Sequence, residues 1–63
     1  MTQKELLYIE DAIGHEQNII CIINDTISNL KENKLKSFMK NECKKHETVL
    51  EKLMKKLESC TND

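Results

Sequence analysis

The chain has 63 residues, carries a net charge of −1 at neutral pH, and has charged side chains at 33% of its positions. So short a chain buries only about 60% of its unfolded surface, so it forms one small domain, residues 1–63, that needs added support. Near-neutral charge and the absence of Arg disfavour nucleic-acid binding. The longest apolar run, Ile19 to Ile23, is far below the roughly 20 residues that span a bilayer.

The three cysteines, Cys21, Cys43 and Cys60, are an odd number, and no recognisable signal peptide precedes them. This usage is typical of the reducing cytosol rather than of a disulfide framework. We therefore predict a cytoplasmic protein that gains its support from self-association or from a metal.

The first predicted helix covers about residues 3–31. Thr2-Gln3-Lys4-Glu5 has the pattern of a capping box, in which the Thr hydroxyl and the Glu carboxylate bond the first free amides. The apolar residues that follow recur every three or four positions, as on one face of a helix. They are Leu6, Ile9, Ile13, Ile20, Ile23, Ile27 and Leu30.

A turn is predicted at about residues 32–34 and a second helix at about 35–60. The turn segment lacks Gly and Pro, so its signal is weak. Asn33 either caps the second helix or ends the first one in the left-handed conformation. One continuous helix is therefore the alternative to a hairpin.

Helical phase favours the hairpin. Glu16 and His46 are each the centre of an apolar stripe, and they are 30 residues apart. At about 100° per residue, one straight rod would carry the two stripes about 120° out of phase, whereas an antiparallel hairpin brings them to one interface. The first 30 residues have a net charge of −4 and the remainder +3, which also favours lying side by side.

The predicted fold class is all-α, an antiparallel two-helix hairpin that dimerises into a four-helix bundle. One hairpin buries only one stripe per helix, and the ordering entropy of the chain nearly cancels that gain. Two hairpins packed face to face enclose a core, so the expected partner is a second copy of the chain.

Glu16 and His46 stand where Leu or Ile is expected, and a buried charge is costly unless it is paired or bound to a metal. With the turn near residues 32 and 33, the two side chains lie about 4.5 Å apart along the axis and are long enough to meet. Three interpretations of Glu16 and His46 are open. The two residues form a hydrogen-bonded pair without a ligand, or both lie at a solvated seam of the bundle, or both bind a metal.

A metal site would use Glu16, Glu42 and His46, with Cys43 as a further soft ligand. Glu42 is one turn from His46 on the same face, and a two-fold dimer would present each group twice. The candidate ions are Fe, Mn and Zn. Cys21 lies about 140° from the centre of its stripe and is expected to be a solvent-facing thiol, whereas Cys43 flanks its own stripe.

Two segments carry a resemblance to a known family. Leu6-Leu7-Tyr8-Ile9-Glu10-Asp11 with His15-Glu16 resembles the first helix of ferritin-like proteins, and Leu35-Lys36-Ser37-Phe38 with Glu42-Cys43-Lys44-Lys45-His46-Glu47 resembles the second. Within that superfamily the chain is most similar to small spore-coat-like proteins of the coat F type. The resemblance covers one of the two hairpins of a full ferritin-like domain.

The resemblance implies a site as well as a fold. Ferritin-like di-iron sites use a Glu on the first helix and Glu-x-x-His on the second. Glu16 and His46 match that pattern, but Cys43 stands where the second Glu belongs. Coat-like members keep the fold without the metal, so the resemblance implies architecture more strongly than ferroxidase-like activity.

Three functions follow from these patterns. The first is a non-enzymatic, self-associating helical hairpin with a structural or spore-coat-associated role and no cofactor. The second is a metal-binding ferritin-like half-domain. The third is RNA binding, as in the ROP-type regulators of plasmid copy number, which share the architecture but no motif. The sequence has no nucleophile–base set and no glycine-rich phosphate loop, so no enzyme class is predicted.

Overall fold

A computed structural model shows two α-helices that pack antiparallel, and it describes residues 1–61 apart from the side chains of Cys60 and Thr61. Helix α1 comprises Gln3–Asn29, and helix α2 comprises Asn33–Thr61. The Cα trace measures 47 × 14 × 12 Å, whereas a continuous helix of this length would extend about 90 Å. The predicted all-α hairpin is therefore confirmed, and the rod is not formed.

Helix α1 begins with the predicted capping box. The hydroxyl of Thr2 accepts a hydrogen bond from the Glu5 amide at 3.1 Å, and the Glu5 carboxylate accepts one from the Thr2 amide at 2.9 Å. Both bonds use amides that an α-helix leaves without partners at its start. The same contacts stabilise the carboxylate and lower the pKa of Glu5.

The turn lies two residues earlier than expected. Leu30 adopts an extended conformation, with φ −85° and ψ 145°, and its amide donates to the Ile27 carbonyl at 3.2 Å. Asn33 is already the first residue of α2. No residue in the described part of the chain has a positive φ, so the alternative in which Asn33 ends α1 in a left-handed conformation is wrong. An extended Leu30 redirects the chain without a glycine.

The core between the helices is narrow. Among the residues with described side chains only Ile13, Ile23 and Cys43 are buried, with exposures of 9%, 6% and 6%. The other members of the two stripes are mostly half-buried; they include Ile9, Ile20, Ile27, Met39, Leu50, Leu53 and Leu57. One hairpin therefore leaves most of its apolar stripe partly open to solvent.

The line of contact is displaced from the centre of the stripes. Ile13 lies about 60° from Glu16 and Cys43 about 60° from His46 in the same rotational sense, whereas Ile23 lies only about 20° from Glu16 in the opposite sense. Because the two helices are antiparallel, Ile13 and Cys43 lie toward the same broad face of the hairpin, that is, on the same side of the plane that contains both helix axes. The opposite face is correspondingly uncovered. Neither helix, over its described residues, has the length and apolar character needed to cross a bilayer.

Candidate functional site

The centre of the hairpin contains a contact between the two ionisable residues of the apolar stripes. His46 Nδ1 lies 2.6 Å from Glu16 Oε2, with side-chain exposures of 32% for His46 and 18% for Glu16. Glu16 is the middle residue of the 27 in α1, and His46 adjoins the middle residue of the 29 in α2. The sequence placed these side chains within reach of each other, and the structure joins them.

The direction of this hydrogen bond fixes the role of the imidazole. A carboxylate oxygen only accepts, so Nδ1 of His46 carries the hydrogen and donates it to Glu16. In the neutral imidazole, Nε2 is then the ring nitrogen with the lone pair. A His held in this way by a carboxylate is the form in which imidazole usually binds a metal.

The predicted metal ligands separate into three places. Glu16 and His46 are together, whereas Glu42 points to Lys45, with Oε1 at 3.2 Å from Nζ. Cys43 bonds to other residues on the far side of the contact line. Within the described chain, no three His, Cys, Asp or Glu side chains converge in a way that could hold a metal ion. One hairpin therefore offers one imidazole oriented by a carboxylate, not a complete coordination sphere.

Cys43 forms a second polar cluster that the sequence did not predict. Its Sγ lies 3.2 Å from Glu47 Oε1 and 3.7 Å from Asn24 Oδ1. The hydrogen bond to the Glu47 carboxylate, followed by burial, raises the pKa of the Cys43 thiol. The spacing of four residues between Cys43 and Glu47 was the available signal, since such pairs lie together on one helix face.

This thiol cluster lies beside an open groove between the helices. The groove is lined by Asn24, Ile27, Lys40, Cys43, Lys44 and Glu47. Cys21, in contrast, is exposed, as its helical phase predicted. The two described thiols therefore differ in both surroundings and access.

The hairpin has two broad faces of different chemistry. Antiparallel helices are related by a two-fold axis normal to their common plane, so residues displaced by the same angle from the contact line lie on the same face. At about 40–120° in one sense from Glu16 or His46, exposed or half-buried apolar side chains lie mainly on α1, and α2 adds both apolar and charged side chains, Lys45 and Lys56 among them. We call this surface the apolar face after its apolar members, which are Tyr8, Ala12, Ile19, Ile22, Phe38 and Val49.

At similar angles in the other sense lies the polar face, which contains the groove. Its residues include Gln17, Asn24, Lys36, Lys40 and Glu47. Met54 is an exposed apolar residue on this side, with 46% exposure. The contrast between the two faces indicates that the apolar face is the one that gains from being covered.

Comparison of this chain with protein-family models, with curated proteins and with solved structures gives no significant match. The ferritin-like and coat F resemblance therefore remains a prediction from the motifs of the sequence. The chemistry of the hairpin itself is therefore the basis for any inference about function.

Proposed function

We propose that this protein is a non-enzymatic, self-associating helical hairpin with a structural role, and that its working unit is a homodimeric four-helix bundle. The observation that carries the proposal is the apolar face. Its largest members are strongly exposed in one hairpin: Tyr8 at 61%, Phe38 at 59% and Ile22 at 56%. The coat-like resemblance supports a role in an assembly, located in the cytoplasm or in the spore coat.

The dimensions of the hairpin suit a second copy. A surface 47 Å long and 14 Å wide approaches the roughly 800 Å² that each partner contributes to a stable interface. Burial of apolar surface contributes about 25 cal/mol per Å², and one hairpin realises little of that gain with three buried residues. A second apolar face provides the complementary surface.

The test is the mass of the protein in solution and its response to a charge on either face. Light scattering should give a mass near twice 7.4 kDa at micromolar concentration. Phe38→Asp places a charge in the proposed interface and should weaken the dimer by at least about 100-fold, since an unpaired buried charge costs several kcal/mol. Met54→Asp, on the polar face, is the matched control and should leave the dimer intact.

A stable, cooperatively folded monomer in the parent protein would contradict the proposal. Equal loss of the dimer in the Phe38 and Met54 variants would contradict the assignment of the interface to the apolar face.

The second candidate is a metal-binding ferritin-like half-domain, which the Glu16–His46 contact favours. The carboxylate holds Nδ1 and leaves the Nε2 lone pair of His46 available as a ligand. The pair lies at mid-length of both helices, so two copies that pack along their full length bring two such pairs to the same level. Such a core would hold Fe, Mn or Zn.

Metal analysis of the purified protein separates the two candidates. The self-association proposal expects no stoichiometric metal, and it expects Glu16→Leu combined with His46→Leu to give a folded dimer. A parent protein that contains one or more equivalents of Fe, Mn or Zn, and loses both metal and stability in the double variant, would instead establish the metal-binding half-domain.

A further inference from the structure

The two helices carry opposite charge. Helix α1 has one Lys against five acidic residues, a net −4, and α2 has eight Lys against four Glu, a net +4. Within one hairpin this places an acidic helix beside a basic one. Toward the apolar face, α2 presents Lys45, Lys52 and Lys56 against one acid, Glu42, so its positive charge acts on any further helix that packs there and distinguishes between the possible positions of a second copy.

Two symmetric arrangements allow the apolar faces of two hairpins to meet with every neighbouring helix antiparallel. In the axial arrangement, the two-fold axis runs along the bundle, so α1 packs on α2 of the partner and both turns lie at one end. In the transverse arrangement, the two-fold axis crosses the bundle, so α1 packs on α1, α2 packs on α2, and the turns lie at opposite ends.

We propose that the second copy binds in the axial arrangement, with the acidic helix of each hairpin against the basic helix of the other. This inference rests on the self-association proposed above and specifies its geometry. The axial arrangement gives four neighbouring helix pairs of opposite charge. The transverse arrangement gives two such pairs and two of like charge, which costs free energy.

One pair of charged residues at the rim of the apolar face, Asp11 and Lys52, agrees with this assignment. Asp11 lies about 140° from Glu16 toward the apolar face, and Lys52 lies about 120° from His46 in the same sense. Along the axis, both lie about 7–9 Å from the Glu16–His46 level, on the side away from the turn. The axial arrangement preserves these heights, so Asp11 of each copy lies level with Lys52 of the other, at one outer edge of the interface.

The distance between the two turns tests the arrangement. Glu32→Cys, combined with Cys21→Ser, Cys43→Val and Cys60→Ser, provides one spin-label site at the turn of each chain. The helical circular dichroism spectrum and the dimer mass are checked first. Pulsed dipolar spectroscopy should then give a separation of about 10–25 Å, because both turns lie within one bundle cross-section.

Each result has a distinct meaning. A separation above about 40 Å, close to the 47 Å length of the hairpin, would overturn the axial arrangement and leave the dimer itself standing. A monomeric parent protein would overturn the self-association on which the arrangement rests.

A second measurement uses the native chain, in case the single-cysteine variant does not fold. Light and ¹⁵N-labelled protein are unfolded together, refolded, and treated with a carbodiimide, which joins a carboxylate to a nearby lysine. The axial arrangement predicts crosslinks between Asp11 and Lys52 that join a light chain to a heavy chain, and their loss in Asp11→Asn. Crosslinks between light and heavy chains that join only residues of α2 would overturn it.

Discussion

The two polar contacts that cross between the helices differ in the way their burial is compensated. Glu16 and His46 form a short bond of 2.6 Å on the stripe centres and stay partly exposed. Cys43 is among the most buried residues, yet its contacts with Glu47 and Asn24 are the weaker hydrogen bonds of a thiol. The hairpin thus keeps its ionisable pair partly open to solvent and its thiol where the core is deepest.

This difference teaches where a two-helix protein can place polar groups. A core with so few buried residues cannot fully desolvate an ionisable pair, so the pair needs only one good hydrogen bond and partial hydration. A thiol costs little to bury and packs like a small apolar side chain. Dimerisation would change the surroundings of the pair far more than those of the thiol.

The largest expected effect is the loss of stability on substitution of Glu16 or His46. Glu16→Leu or His46→Leu alone should lower the free energy of unfolding by about 1–3 kcal/mol, because each leaves its partner without a hydrogen bond. The double change should be at least as stable as the parent, because it replaces two polar groups with two apolar ones. Urea unfolding of all four proteins at one concentration measures this. A double variant less stable than either single one would show that the pair has a role beyond hydrogen bonding.

The next effect concerns the thiol. At pH 7.5, Cys43 should react with a thiol reagent at least about tenfold more slowly than Cys21, because it is buried and its pKa is raised by the Glu47 hydrogen bond. Glu47→Gln removes the negative charge, lowers the pKa of Cys43 and should speed its reaction several-fold without changing Cys21. Peptide mapping by mass spectrometry resolves the two sites.

Glu51→Gln, one turn further along α2, is the control for that measurement and should leave both rates unchanged. Equal rates for Cys21 and Cys43 in the parent protein would mean that the helical phases are wrong.

A smaller effect is expected at the N-terminal start of α1, where the capping box of Thr2 and Glu5 is exposed to solvent. Thr2→Ala removes the hydroxyl that accepts from the Glu5 amide and should cost about 1 kcal/mol of stability. Thermal unfolding followed by circular dichroism is sufficient to measure it. A cost as large as that of the single Glu16 or His46 changes would contradict the view that the central pair is the more demanding contact.

The smallest effect is the pH dependence of the same capping box. Since the folded-state pKa of Glu5 is lowered, the contribution of its carboxylate is present above the ordinary Glu pKa of about 4.3 and is lost as pH falls through the lower folded value. The stability difference between the parent and Glu5→Gln should therefore be visible at pH 7 and vanish in the acid range. Glu10→Gln should show no such dependence.

The features that periodicity controls could be predicted from the sequence. The phase difference between the stripes of Glu16 and His46 predicted a hairpin, and the spacing of Thr2 and Glu5 predicted the capping box; the structure confirms both. The meeting of Glu16 with His46 was predicted from helical phase and from a turn placed two residues too late, an error small enough for the two side chains still to meet. These features depend on residue spacing alone.

The burial of Cys43 and its contact with Asn24 could not be predicted, because they depend on the rotation of each helix about its own axis in the packed hairpin. A rotation of the contact line toward Ile13 and Cys43 buries a thiol that the sequence placed on the flank, and it brings Cys43 to Asn24 across the interface. The turn shifted because an extended Leu30 can redirect the chain without a marked turn residue. Such rotations of a fraction of a helical turn leave no signature in residue spacing.

The connection between the helices also determines how readily the chain could form one continuous helix instead of a hairpin. Residues 30–32 contain no glycine or proline, and no residue in the described chain has a positive φ, so the chemistry of the turn does not prevent the helix from continuing. The phase offset of about 120° opposes a rod, and deletion of one turn residue such as Glu32 would reduce it to about 20°. We therefore expect deletion of Glu32 to favour an extended helix with a nearly continuous apolar stripe, which small-angle scattering would detect as a near doubling of length.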